Sequence, residues 1–217
     1  MKRFWLTLLA LVLLAACSSG GGAPKPSPLI NKGHVGHWAG FGLLPPQPRP
    51  NFTLTDVTGG ASVAGVAGKK FAFGSTTSGH PTFLYFGYTR CPDVCPETMA
   101  DVGIALRHVS PAIARRTYVV FVTTDVKHDT ARVIRRWLGH FSAGTHAHWV
   151  GLTGTRAELN AAQAAAHVAV ATDGGQTHSA ELLLFGTDNY AHVTYSPMGG
   201  EQKEIAHDLP LVARSRS

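Results

Sequence analysis

Cysteine is scarce in this chain of 217 residues: there are three, at positions 17, 91 and 95. A disulfide-dense scaffold is therefore excluded. Charge is scarce as well. Charged residues make up 15% of the sequence and hydrophobic residues 44%, a composition that excludes a disordered or fibrous chain. No internal repeat is present, and no run of Lys and Arg follows one helical face. The formal charge of +6 is spread along the chain, so nucleic acid is not expected as a partner. A mildly basic surface facing an anionic membrane is the plainer reading. Only the N-terminus offers a long apolar run. Phe4 to Ala16 is too short for a comfortable transmembrane span but suits the apolar region of a signal peptide, with Lys2 and Arg3 ahead of it.

That run ends Leu14-Ala15-Ala16-Cys17. A leucine, two small residues and a cysteine resemble the bacterial lipobox, and the resemblance implies cleavage before Cys17 and a lipid on its sulfur. Residues 1–16 then form a lipoprotein signal peptide and 17–44 a flexible tether, begun by Ser18-Ser19-Gly20-Gly21-Gly22. Residues up to about 50 read as linker-like, because Pro45, Pro46, Pro48 and Pro50 crowd its end. His34, His37 and Trp38 interrupt it as a segment packing on the domain surface. The folded domain is expected over 45–217, which is enough for one core.

Within it, Asn51–Asp56 alternates like a strand, and Lys70–Phe73 reads as a weaker one. Thr82–Phe86 and Tyr118–Thr123 are unbroken apolar runs, as strands buried on both faces would be. Met99, Val102, Leu106 and Val109 share one helical face. Val133, Ile134, Trp137, Leu138 and Phe141 share another. Trp149–Leu152 reads as a short strand. Thr155 and Glu158 have capping-box spacing ahead of an Ala-rich helix. Leu182–Phe185 and Ala191–Tyr195 flank Gly186-Thr187-Asp188-Asn189 as a hairpin, and a final helix includes Glu204–His207. Strands alternating with helices imply a largely parallel sheet covered on both faces. The terminal hairpin points to an α/β, thioredoxin-like fold: a central mixed sheet flanked by helices.

Cys91 and Cys95 are each followed by proline. Proline is disfavoured deep in a helix and biases the residue before it away from helical geometry. The expected arrangement makes Cys95 the N-cap and Pro96 the first helical residue. Both thiols would then lie against a helix N-terminus, whose partial positive charge favours thiolate. A purely structural disulfide between them would contribute little. Closing so short a ring is worth about 2 kcal/mol, against about 4.7 kcal/mol for a hundred-residue loop. Two chemistries remain. One is dithiol–disulfide exchange, although thioredoxin-like enzymes mostly use a shorter gap. The other is metal binding, which needs a third ligand. Among twelve histidines, His146 and His148 alternate but have no acidic or thiol companion. His178 follows a Gly-rich turn and immediately precedes the hairpin strand. In a thioredoxin-like fold that loop lies against the cysteine-bearing helix.

Phe86-Gly87-Tyr88-Thr89-Arg90-Cys91-Pro92-Asp93-Val94-Cys95-Pro96 resembles the Sco/SenC copper chaperones, as do Phe52–Asp56, Thr124-Asp125 with Asp129-Thr130, Gly151–Gly154 and His178-Ser179. The resemblance spans roughly residues 45–213. It implies one copper ion, Cu(I) or Cu(II), on Cys91, Cys95 and His178. It also implies a lipid-anchored location on the outer face of the bacterial cytoplasmic membrane. The expected role is delivery of copper to the dinuclear copper centre of cytochrome c oxidase, or reduction of that centre's cysteines. Partners would be the copper-bearing oxidase subunit and other copper carriers or thiol reductants. The chemistry agrees: two soft thiolates and an imidazole suit copper, and three ligands leave an open side, although zinc also accepts such a set. Asp125 and Asp129 could tune the site, dock a partner, or serve as a turn and helix cap. The chain departs from the family where Asp125-Val-Lys-His-Asp129 lacks the usual proline and arginine, and where Thr172–Thr177 is Gly-rich. The competing class is a membrane-anchored thiol–disulfide oxidoreductase or thiol peroxidase, for which Thr89-Arg90 beside Cys91 supplies suitable residue types.

Overall fold

A computed structural model describes residues 29–30, 37–59, 68–195 and 199–215. The signal segment, Cys17, the glycine-rich stretch after it and His34 lie outside the described residues. Among those described, no helix is long and apolar enough to cross a membrane.

The strands are β1 (Leu29–Ile30), β2 (Phe41–Pro48), β3 (Thr53–Asp56), β4 (Lys70–Ala72), β5 (Thr82–Gly87), β6 (Tyr118–Thr123), β7 (His148–Thr153), β8 (Leu182–Phe185) and β9 (Tyr190–Tyr195). They form one sheet in the order β1-β2-β9-β8-β5-β6-β7-β3-β4. The pairs β5–β6 and β6–β7 are parallel and the other pairs are antiparallel. The helices are α1 (Phe73–Thr76), α2 (Val94–His108), α3 (Pro111–Ala114), α4 (Ala131–Ser142), α5 (Arg156–Ala165) and α6 (Gln202–Val212). This is the thioredoxin-like arrangement expected from the alternation of strands and helices.

Every residue of β5 and β6 is buried, because helices or loops cover both faces of the central strands. Alternate side chains go to opposite sides. Phe83 and Tyr85 join Met99, Val102 and Leu106 of α2, Ile134 and Leu138 of α4, and Ile205 and Leu209 of α6. Leu84 and Phe86 join Phe52, Phe73, Val120 and Leu159 on the other side. Val133, placed by pattern on the buried face of α4, is instead 36% exposed. The capping box of α5 is present: the Glu158 backbone N–H bonds the Thr155 hydroxyl, and the Glu158 carboxylate accepts from the Thr155 backbone N–H.

The N-terminal boundary differs from the expectation. Residues 37–50 are not a linker, and the last part of the expected 17–44 tether belongs to the domain. Phe41–Pro48 is a strand paired with β9. Its prolines are tolerated because the register shifts between Gly42 and Gln47. Pro45 and Pro46 therefore fall in the irregular stretch, where a missing N–H costs no ladder bond. Asp208 of α6, fully buried, accepts from the N–H groups of Ala39 and Gly40 at 2.8 and 2.9 Å and from the Tyr195 hydroxyl at 3.1 Å. Trp38 stacks on His192 with ring centroids 5.4 Å apart. Arg49 donates to Thr77 Oγ1, His80 O, Gly186 O and Asn189 Oδ1. Local sequence could not announce these partners, since most lie more than a hundred residues away.

Candidate metal centre

The site stands at the C-terminal ends of β5 and β6, where loops leaving parallel strands ordinarily build binding sites. Its floor is Gly87, the last residue of β5. A Cβ there would lie 2.6 Å from the Tyr85 ring and 3.0 Å from Cys95 Sγ. Glycine lets the strand end pass directly beneath the sulfur.

The helix begins two residues earlier than expected. Asp93 is the N-cap, its side chain accepting from Val94 N at 2.7 Å and its carbonyl accepting from Glu97 N. Cys95 therefore sits inside the first turn of α2, and Pro96 is the third helical residue. The proline is still tolerated because the first N–H groups of a helix have no intrahelical acceptor to lose. The consequence for the two sulfurs is unequal. Cys95 is fully buried, and burial pushes its thiol up to about 12, against the partly opposing hydrogen bond from the Tyr85 hydroxyl at 3.5 Å. The expectation that the helix end holds Cys95 as thiolate is overturned: desolvation outweighs it. The helix N-terminus instead serves Cys91, whose half-exposed sulfur accepts from the Cys95 N–H at 3.4 Å. Both cysteines are free thiols.

His178 comes to the pair from across the sheet. Its Nε2 lies 3.7 Å from Cys95 Sγ, while Nδ1 donates to the Ser179 carbonyl at 2.7 Å. A carbonyl can only accept, so Nδ1 carries the proton and Nε2 keeps its lone pair toward the sulfur. Burial also lowers the basicity of the ring, which favours the neutral form. The edges of Tyr85 and Tyr88 frame the imidazole, at 6.3 and 5.6 Å between centroids and nearly perpendicular. Among the described residues no three His, Cys, Asp or Glu side chains already stand as a metal-ready group. Cys95 and His178 are in contact, and the Cys91 sulfur lies against the Cys95 backbone N–H.

Asp125 and Asp129 do not join this cluster, nor do they cap α4, whose N-cap is Thr130. Asp129, 3% exposed, accepts from Thr89 N at 3.0 Å, Thr89 Oγ1 at 2.5 Å and Thr123 Oγ1 at 2.6 Å. It ties the cysteine loop to the end of β6. Asp125 accepts from His128 Nδ1 at 2.7 Å, and Arg90 Nη2 stands 3.8 Å from the same oxygen. Sequence reasoning missed the other half of the scaffold. The Gly-rich turn before His178 is held by Thr124, whose hydroxyl donates to Gly175 O at 2.6 Å. Arg156 donates to Thr124 O at 2.7 Å and Gly174 O at 3.0 Å. Gly175, at φ +105°, packs so closely that a Cβ would run into the Thr124 carbonyl oxygen. Only Tyr88, which lies within the cysteine motif, could have been singled out beforehand. His146 and His148 lie at the opposite end of the strands, away from the cysteines.

Fold and site together define a thioredoxin-like domain with a buried-and-exposed cysteine pair capped by a histidine. A family model described as SCO1/SenC matches residues 49–213, and the chain belongs to that family. The SCO2-like protein of Rickettsia felis is 34% identical over 85 residues, 37% of this chain and 37% of that protein. Protein sco1 of Schizosaccharomyces pombe is 32% identical over 78 residues, 36% of this chain and 28% of that one. The chain spans about half, or less, of the length of the curated relatives it matches. Among solved structures, apo Sco1 of Thermus thermophilus superposes with a TM-score of 0.63 at 25% identity, covering 83% of this chain and 99% of that one. ScoI of Bradyrhizobium japonicum, solved with copper bound, gives 0.56 at 26% identity, covering 76% and 99%.

Proposed function

We propose that this chain is an extracytoplasmic copper metallochaperone serving the dinuclear copper centre of cytochrome c oxidase. The observation that carries the reading is the Cys95–His178 contact, with Nδ1 committed to Ser179 and the Nε2 lone pair facing the sulfur. Cys91, Cys95 and Nε2 of His178 would hold one copper ion as cargo. Soft thiolates with one imidazole suit Cu(I), and the same donors accept Cu(II). Loading removes the Cys95 proton that burial retains in the free protein. Three protein donors leave one side of the ion open to a receiving protein. Asp125 and Asp129 act by holding the loop beneath the cysteines. Lipid on Cys17 would tether the folded domain, which already includes residues 37–44, to the outer face of the bacterial cytoplasmic membrane. The family membership and the copper-bound Bradyrhizobium relative support this assignment.

The second reading keeps the same residues and changes the cargo to electrons. The half-exposed Cys91, with a backbone N–H aimed at its sulfur, suits attack on a partner's disulfide. Cys95 then resolves the mixed disulfide, so that the partner gains two electrons and the CxxxC pair becomes oxidised. Anaerobic Cu(I) titration of the reduced protein separates the two. One tightly bound ion, lost in Cys91→Ser/Cys95→Ser and weakened in a folded His178→Ala, is the expected result. No copper uptake with brisk disulfide exchange would overturn the chaperone reading.

A further inference from the structure

At the end of the sheet opposite the cysteines, a recess of about 630 Å³ opens beside the starts of β6 and β7. Arg115 reaches it from the end of α3 and Arg135 from α4, while His146 and His148 come from the segment entering β7. Leu138 and Trp149 supply its apolar wall. No aspartate or glutamate lines it. The nearest carboxylate in the chain order of its wall is Asp56, which is buried and turned into its own loop, accepting from Thr58 N and Thr58 Oγ1.

The cations here are not neutralised. Neither Arg115 nor Arg135 forms an ion pair among the described residues. Arg135 is held in place by one bond, Nη1 to the Val57 carbonyl at 3.0 Å, which leaves the rest of its guanidinium fork free. The His148 ring lies beside the Arg115 backbone and is fixed against Tyr118 at 4.9 Å between centroids. Its Nδ1 is buried with no close partner, so the ring has hydrogen-bonding capacity to spare at the recess.

We propose that this recess binds a phosphate-class oxyanion. Two guanidinium groups and two imidazoles converge from three elements, which suits a tetrahedral anion with several acceptor oxygens better than a planar carboxylate. The apolar wall takes the organic part of a phosphate ester. The phosphate can belong to a soluble ester or to an anionic lipid headgroup, since both present the same oxygens.

The test uses the full chain with Cys17→Ser, so that no acyl chain contributes to vesicle binding. Inorganic phosphate is titrated into labelled protein while the backbone amides of His146, His148 and Trp149 are followed by NMR. The expected result is a saturable shift confined to the recess, weakened about tenfold or more in Arg115→Gln/Arg135→Gln, since both guanidinium donors are lost. A charge-matched control on the same helix, Arg132→Gln/Arg136→Gln, should change it less than about twofold. Vesicles of phosphatidylcholine with and without phosphatidylglycerol identify the source. Phosphatidylglycerol-dependent binding that phosphate displaces assigns a lipid headgroup, and phosphate binding without vesicle binding assigns a soluble ester. No saturable shift, or equal loss in both double variants, overturns the proposal.

Discussion

The two loops that meet at the candidate metal centre are held in opposite ways. The cysteine loop is fastened from beneath, by the buried Asp129 carboxylate accepting three hydrogen bonds from Thr89 and Thr123. The histidine loop is fastened from its flank, by the buried bond from the Thr124 hydroxyl to Gly175 O, by the half-buried Arg156 and by a close backbone approach at Gly175. Each loop has one hydrogen bond sealed from water, Thr123 to Asp129 under the cysteine loop and Thr124 to Gly175 beside the histidine loop, and sealed bonds hold harder than open ones. The difference is the anchor: a side-chain carboxylate for the cysteine loop, a backbone carbonyl for the histidine loop.

Asp129→Ala should have the largest effect. It strands three donors, one of them buried at Thr123, and is expected to cost about 3 kcal/mol. That lowers the melting temperature by roughly 6–12 °C in a domain of this size, and copper affinity falls with it. A thermal melt unchanged in this variant would end the contrast between the loops. Gly175→Ala comes next, at about 2 kcal/mol, because a side chain at φ +105° must also clear the Thr124 carbonyl. Its displaced loop should weaken copper binding while Cys91 and Cys95 keep their thiol reactivity, which a thiol-labelling assay measures.

Protons supply the third prediction. Burial pushes the Cys95 thiol up to about 12, so it is protonated throughout the neutral range and must lose that proton on loading. Copper affinity in competition titrations should rise about tenfold per pH unit for this proton. In the metal-free protein the sign reverses. The raised thiol contributes stability that is complete below about pH 9 and is lost as pH climbs toward 12. Cys95→Ser should remove that alkaline loss. The smallest effect belongs to Arg156→Gln. Two partly exposed bonds are worth about 1 kcal/mol together, so the melt should barely move. Copper release measured by stopped-flow should nonetheless quicken, and an unchanged release rate would show that Arg156 does not hold the His178 loop.

Much of the central sheet was legible residue by residue. Thr82–Phe86 and Tyr118–Thr123 are apolar without interruption, and Thr155 with Glu158 announces a helix start, because these signals depend only on near neighbours. The strand Phe41–Pro48 was not legible. Its prolines argue for a linker, and its stabilising partners, β9 and Asp208, lie about 150 residues on. The state of Cys95 was misread for the same kind of reason. A helix start is visible in Pro96, but the desolvation that raises the thiol comes from Tyr85 and the core packed around it. The recess shows the same limit: Arg115, Arg135, His146 and His148 are unremarkable as scattered residues and acquire meaning only when two helices and a strand bring them together.

Local chemistry therefore settled the CxxxC motif, its place between a buried strand and a helix, and the alternation that makes a thioredoxin-like sheet. Short-range rules of burial, proline geometry and capping are sufficient for those. Folding settled which sulfur is buried, which tautomer His178 presents from 83 positions away, how the two loops differ in their fastening, and where uncompensated charge collects. Those depend on desolvation and on contacts across the sheet, and neither is written in any neighbouring residue.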